Sequence, residues 1–268
     1  MKGFALSVLT GVILASGASL GYARTLDQIL SAGELRVGVN PNYPPTALYD
    51  DKNELAGFDV DISNKLAEML GVKLTLVTVD PASRIPFLTS DKVDISMGAL
   101  TRTPDRAKLV DFSVPINTEG NAVLTTEDKP YKTPSDMNDA SVTFAEVRGT
   151  TPIPVIQQEF PNAKLLQLSD WPDAFRAVSD GRATAVIADA SFFGEQIKTF
   201  PDVKWKLLPG TIGPVYWDCA GVNKGNDSLR LWLNVALYDM ETQGFVDAAW
   251  KKWYGVEMAT PVKPDPFF

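Results

Sequence analysis

The 268-residue chain contains no histidine and a single cysteine, Cys219. Without histidine there is no Ser-His-Asp or Cys-His catalysis and no imidazole-bound zinc or iron; with one thiol there is no intrachain disulfide. Cys219 reads as a small buried hydrophobe, with intermolecular pairing as the alternative. Positive charge is also scarce: 25 Lys and Arg stand against 33 Asp and Glu, a net charge of −8. That balance argues against a nucleic-acid or anionic-membrane partner, which would select a basic face. Long apolar runs are confined to the start. Lys2, the apolar stretch 4–15 and Gly21-Tyr22-Ala23 have the order of a signal peptide cleaved near Ala23, too short and rich in small residues for a membrane span. No cysteine lies near that point, which argues against a lipid anchor. The remainder, about 245 residues, suffices for one large or two modest domains. No metal or cofactor is implied. An enzyme built from this chain would have to rely on carboxylates, Lys, Tyr or Ser, which shifts the expectation towards binding.

The most informative segment is Val93-Asp-Ile-Ser-Met-Gly-Ala-Leu-Thr-Arg-Thr-Pro-Asp-Arg106. It reads as a buried strand over 93–97, a small-residue turn and a helix start, with Thr103 as N-cap, Pro104 at the first helical position and Asp105 complementing the dipole. Arg106 then sits beside free backbone N–H groups, a seat for a carboxylate. The same residues also suit an ordinary strand–loop–helix crossover with a solvated Arg.

Strands alternate with helices along the chain. A short helix over 26–32 leads to a strand over 35–39 and the irregular loop Asn40-Pro-Asn-Tyr-Pro-Pro45. Asp59 suits the cap of a helix closed by Gly71, followed by a strand over 73–79 and a short helix over 85–90. A like series recurs: strand 141–147, loop Arg148-Gly-Thr-Thr151, helix 153–160, strand 164–168, helix 171–179 and strand 184–188 ending at Asp189. Two such series predict two α/β lobes with parallel-rich sheets. Ligands in such sheets sit beyond the carboxyl ends of the strands. There Asn40 to Tyr43, Asp80 to Arg84, Ala99 to Arg106, Arg148 to Thr151 and Asp189 gather. The last third returns to a strand over 219–222 and two amphipathic helices, whose Trp232, Trp250 and Trp253 keep helical spacing and read as core.

An ordered set of short tags carries a resemblance: Gly33-Glu-Leu-Arg-Val-Gly38, Tyr43-Pro-Pro45, Gly57-Phe-Asp-Val-Asp-Ile62, Arg84-Ile-Pro86, Lys92-Val-Asp94, Thr103-Pro-Asp-Arg-Ala-Lys108, Val110-Asp-Phe-Ser113, Gly149-Thr-Thr151, Asn223-Lys-Gly225 and Lys252-Trp-Tyr-Gly255. In this the chain resembles the periplasmic amino-acid-type solute-binding proteins of ABC importers, bacterial extracellular solute-binding protein family 3. The resemblance implies a two-lobed type II periplasmic-binding-protein fold of class α/β, with two parallel-rich mixed sheets flanked by helices and two hinge strands. Residues 24–116 and 218–268 would form lobe one, with the C-terminal tail, and residues 117–217 lobe two. The hinge passages would lie near 117–121 and 214–218.

The resemblance also implies a site. Arg106 would take a ligand α-carboxylate bidentately, helped by Thr101 and the backbone N–H groups of Thr150 and Thr151. Asp189 would take the α-ammonium with the Ala99 carbonyl, and Tyr43 would stack on the ligand. A zwitterion needs both charges satisfied once closing lobes expel water. Where many relatives have two aromatics around the ligand side chain, this chain has Thr46 and Pro81. Arg84 resembles the Arg of relatives that hold acidic ligands. Arg102 and Arg148 add guanidiniums near the cleft, so an acidic ligand is favoured. Asn40, Arg102, Arg148, Trp217 and Asp218 are secondary candidates for ligand contact. The implied partners are the small ligand and an ABC permease, and the implied protein is a monomer in the periplasm. The competing reading is a cyclohexadienyl dehydratase-like enzyme on the same scaffold, with Glu146, Asp189 or Asp218 as general acid. A third is a sensory receptor using the same site.

Overall fold

Residues 23–266 are described by a computed structural model of the chain; the expected signal peptide falls almost wholly outside the described residues. In lobe one, α1 (Leu26–Ala32) is started by Thr25 and Gln28, each side chain bonding the other's backbone N–H, and stopped by left-handed Gly33. It is followed by β1 (Glu34–Val39), the small hairpin β2 (Leu48–Tyr49) and β3 (Leu55–Ala56), α2 (Phe58–Leu70), β4 (Lys73–Thr78), α3 (Arg84–Thr89) and β5 (Ile95–Ser96). The chain then enters β6 (Val110–Thr126) and continues through β7 (Thr143–Val147), α4 (Pro152–Glu159), β8 (Lys164–Leu168), α5 (Trp171–Ser179), β9 (Ala185–Asp189), α6 (Ala190–Gln196) and β10 (Trp205–Leu207). It returns by β11 (Ile212–Asn223) to α7 (Asp227–Thr242) and α8 (Phe245–Tyr254).

The expected pair of sheets proves to be one nine-stranded path, β4-β1-β5-β11-β6-β9-β7-β8, with β10 on β6. The reason is the length of the two crossing strands. At roughly 3.3 Å per residue, the 17-residue β6 and 12-residue β11 run through both lobes. They pair antiparallel with each other, while β11 also pairs β5 and β6 also pairs β9. Within each lobe the other pairs, β1 with β4 and β5 and β7 with β8 and β9, are parallel, as right-handed crossovers require. The β6–β11 ladder shifts register at three places between Ile212 and Gly221. Such bulges re-aim side chains locally.

One core joins the first and last thirds of the chain through Leu35, Val37, Phe58, Leu66, Ala220, Leu233 and Trp250. The inserted section builds its own around Phe144, Ile156, Phe175 and Phe192. Each such side chain contributes about 1.5–3 kcal/mol by leaving water.

Two local expectations differ from the structure. The helix expected after Thr103 is a single 3-10 turn, Arg106–Lys108, because only six residues separate Thr103 from β6. Thr103 does accept the Arg106 N–H at 3.2 Å, but one short turn offers little dipole. Asp59 does not cap α2. That position is Gly57, whose φ of 133° and closeness to the Thr46 carbonyl (2.5 Å from an added Cβ) suit glycine alone. The Asp59 carboxylate instead reaches the Gly98 N–H at 2.6 Å.

Candidate functional site

A cleft between the lobes collects the loop after β1, the loops around Arg84 and Ala99, the turn before α4, the start of α5 and the end of β9. Its lining includes Asn40, Tyr43, Arg84, Ala99, Thr101, Arg106, Thr150, Thr151 and Asp189 from the expected set, and Pro81, Gly98, Asn121, Pro152, Trp171 and Ala188 besides. The cavity is small, about 30 Å³, room for about two waters. Tyr43 fills much of the cleft. Its ring stacks on Phe192 (centroids 3.9 Å apart, 14° between planes) and tilts against Trp171, and its hydroxyl donates to Asp189 Oδ2 at 2.6 Å. That bond links the lobes.

The two guanidiniums of the cleft donate to backbone carbonyls. Arg106 donates to Thr101 O (2.6 Å) and to Gly149 O of the other lobe (2.7 Å). Arg84, buried, donates to Pro81 O, Gly98 O, Ala99 O and, at 3.3 Å, Gly149 O. Burial, then the charge of Arg106, lowers Arg84 to about 9, so both remain cationic at pH 7. Gly149 is the closest approach of the lobes: φ is 83°, and a Cβ there would stand 2.8 Å from Pro81 O. Ala99 takes the left-handed conformation (φ 55°) without being glycine, strain of the kind that clusters at ligand clamps. Arg84 and the neighbouring Asp59–Gly98 bond hold it there.

Carboxylates gather beneath. Burial, and then repulsion from Asp218, raises Asp189 to about 7, the Tyr43 bond partly opposing. Asp59 rises to about 7 for the same main reason, its Gly98 bond opposing. Burial also raises Asp218 and, well above the ordinary range, Glu119. Asn117 Nδ2 donates to Asp218 Oδ2 (3.2 Å) and Ser191 Oγ to Glu119 Oε1 (2.6 Å).

Other expected residues lie elsewhere. Arg102 is exposed and packs over the Trp217 ring, 5.9 Å from its centroid, both residues lining a separate recess against the C-terminal tail. Its N–H is bonded to Trp217 O, so the chain alternation turns its side chain from the cleft. Arg148 is exposed beyond the end of β7 and does not line the cleft. Asp218 is buried under the cleft, bridged to Thr101. Thr150 turns its N–H and hydroxyl back to Val147 O (3.3 and 2.7 Å), closing its own loop. Cys219 is buried and its thiol is pushed up to about 12 by desolvation; it is no nucleophile. Glu146 is buried in β7 with Oε1 accepting the Ile187 N–H at 2.7 Å.

Sequence reasoning missed Trp171, Asn121, Glu119 and the cleft role of Asp59. Trp171 follows an Asp170 cap directly after a strand, a βα-loop position that marks ligand contact in such sheets. The others depend on strand register, which one sequence does not reveal.

A guanidinium from one lobe and a carboxylate from the other, brought into a shared cavity, are matched by known proteins. The chain is similar to the glutamate/aspartate import solute-binding protein of Escherichia coli (strain K12), 25% identical over 262 residues covering 93% of this chain and 86% of that protein. It is also similar to the ABC transporter arginine-binding protein 1 of the same strain, 28% identical with 84% and 92% covered. Among solved structures, an ancestral amino acid-binding protein described as a precursor of cyclohexadienyl dehydratase matches with a TM-score of 0.78 and 32% identity, over 85% of this chain and 99% of that one. The family model of the bacterial extracellular solute-binding proteins, family 3, matches residues 35–256, and with its two lobes, crossing strands and cleft the chain belongs to that family of amino-acid-binding proteins of ABC transporters.

Proposed function

We propose that the protein captures a free amino acid between its lobes and delivers it, as a monomer, to the permease of an ABC importer. The observation that carries this is the pairing of Arg106 and Asp189 across one cavity. The α-carboxylate takes the two Arg106 donors now resting on carbonyls, and the α-ammonium takes Asp189 in place of the Tyr43 hydroxyl. Thr101 and Thr151 flank the carboxylate, and Tyr43 and Trp171 give the side chain an aromatic wall. Lobe one comprises residues 24–116 and 218–268 and lobe two residues 117–217. The protein works in the periplasm after cleavage near Ala23. A dehydratase reading needs a general acid on the ligand, and Glu146, with one oxygen held by β9, stands outside the cleft lining.

Thermal melting against the twenty common amino acids tests the reading. Ligand at ~100 times its dissociation constant adds about 2.7 kcal/mol, a rise of several degrees for a chain of this length. No rise with any amino acid, or turnover of prephenate or arogenate, overturns it.

A further inference from the structure

The floor of the cleft is built from carboxylates that the fold leaves without cations. Four buried acids, Asp59, Glu119, Asp189 and Asp218, surround Arg84 and Arg106. Each is held by a neutral donor: the Gly98 N–H, the Ser191 hydroxyl, the Tyr43 hydroxyl and the Asn117 amide respectively. The two guanidiniums meanwhile donate to carbonyls. Four carboxylates against two guanidiniums leave a surplus of two negative charges when all are ionised.

The hinge ladder gives this surplus a direction. Asn117 lies opposite Asp218 and Glu119 opposite Tyr216, and alternation puts Asn117, Glu119 and Asn121 on one face of β6. Asn121 lines the cleft, so that face is its floor. The intervening Thr118 and Trp217 face the other way, Thr118 bonding Thr260 O and Trp217 lining the tail recess. On the floor, Asp218 Oδ1 and Asn121 Nδ2 are buried without a partner. Buried polar atoms are satisfied in all but a few cases, so orphans beside a binding cavity point to a ligand.

We propose that Asp218 and Glu119, with Asn117 and Asn121 beside them, form a subsite for a side-chain cation, so that the preferred ligand is a basic amino acid. This rests on the amino-acid reading above and names its ligand class. The zwitterionic main chain adds no net charge. An acidic side chain would raise the surplus to three, whereas an ammonium or guanidinium lowers it to one and brings three or five donors to the orphaned acceptor. Uncompensated buried charge costs several kcal/mol, so side-chain charge decides selection. The expectation of an acidic ligand counted Arg84, Arg102 and Arg148; two lie outside the cleft and the third is committed to four backbone carbonyls.

Calorimetric titration of the mature chain with L-lysine, L-arginine, L-glutamine and L-glutamate is the test. Lysine or arginine is expected to bind at least tenfold tighter than glutamate, and Asp218→Asn to cut the ratio of basic to neutral affinity at least tenfold. If D218N does not fold, as judged by circular dichroism, Glu119→Gln carries the same measurement. Glutamate binding as tightly as the basic pair, or an unchanged ratio in the folded variant, overturns the proposal while leaving the amino-acid reading intact. Binding of none of the four, or of any other common amino acid, overturns both.

Discussion

Asp94 and Asp218 are both buried aspartates, and the fold treats them in opposite ways. Asp94 lies at the end of lobe one away from the cleft. Its two oxygens take Arg24, Arg36 and the Arg36 N–H at 2.7 Å, and these partners hold it below the ordinary carboxylate range despite burial. Asp218 has one amide on one oxygen and nothing on the other, and burial raises it. A completed charge belongs to the architecture; an incomplete one is held ready for something that arrives. The contrast sorts the acids and bases of this chain better than burial does, since both aspartates are almost fully hidden.

The largest effect that bears on this contrast is expected at the completed site. Asp94→Asn leaves Arg24 and Arg36 with an unanswered buried charge and should destabilise the chain by about 3 kcal/mol, read by urea unfolding, with ligand affinity unchanged. Its pH signature should oppose that of the cleft acids. Asp94 stabilises above the ordinary carboxylate pKa and loses that contribution as pH falls. Asp59, raised to about 7 from 3.8, stabilises fully below pH 4, and that contribution drains away as pH climbs to 7. Unfolding from pH 4 to 8 should thus show a falling segment that Asp59→Asn flattens, at no more than about 1.4 kcal/mol per pH unit. A flat wild-type profile across that range would remove the distinction.

Next in size is Arg106→Ala, which removes the cation available to a carboxylate. Affinity should drop by about 100-fold, close to 2.7 kcal/mol, with little change in melting of the free protein. Gly149→Ala keeps every charge but places a Cβ 2.8 Å from Pro81 O. Closure should become harder and binding about tenfold weaker, with the loss in small-angle scattering compaction on adding ligand as its structural mark. The smallest effect is expected from Arg102→Ala, whose guanidinium sits over Trp217 outside the cleft. Affinity should stay within about twofold, in the range of rim charges; a larger loss would place Arg102 among the charges held for the ligand.

Much of the fold was legible because its signals are local. Thr25 and Gln28 start α1, Gly33 and Gly71 close helices, and the strand over 164–168 and the helix over 171–179 have the expected ends. The single sheet was not legible, because β6 and β11 are long through pairing with each other rather than through any marked apolar pattern. Thr118, Glu119, Gly120 and Asn121 read as loop until a partner strand supplies their hydrogen bonds. In the cleft, Arg106 and Asp189 were legible from position after strands. Asp59 was misread because an acid in a first turn suits a cap equally well, and only the fold brings Gly98 within its reach. Arg102 was misplaced because a one-residue step along an extended chain reverses the face.

The Tyr43 hydroxyl on Asp189 means that the protein carries an internal competitor for its own ammonium seat. An arriving ligand does not fill an idle contact; it exchanges one donor for another and must move an aromatic ring to do so. Measured affinity is then intrinsic affinity divided among molecules according to whether Tyr43 has let go. The same bond sets a threshold: a solute lacking the charge to outbid a phenol at that carboxylate leaves the latch as it was.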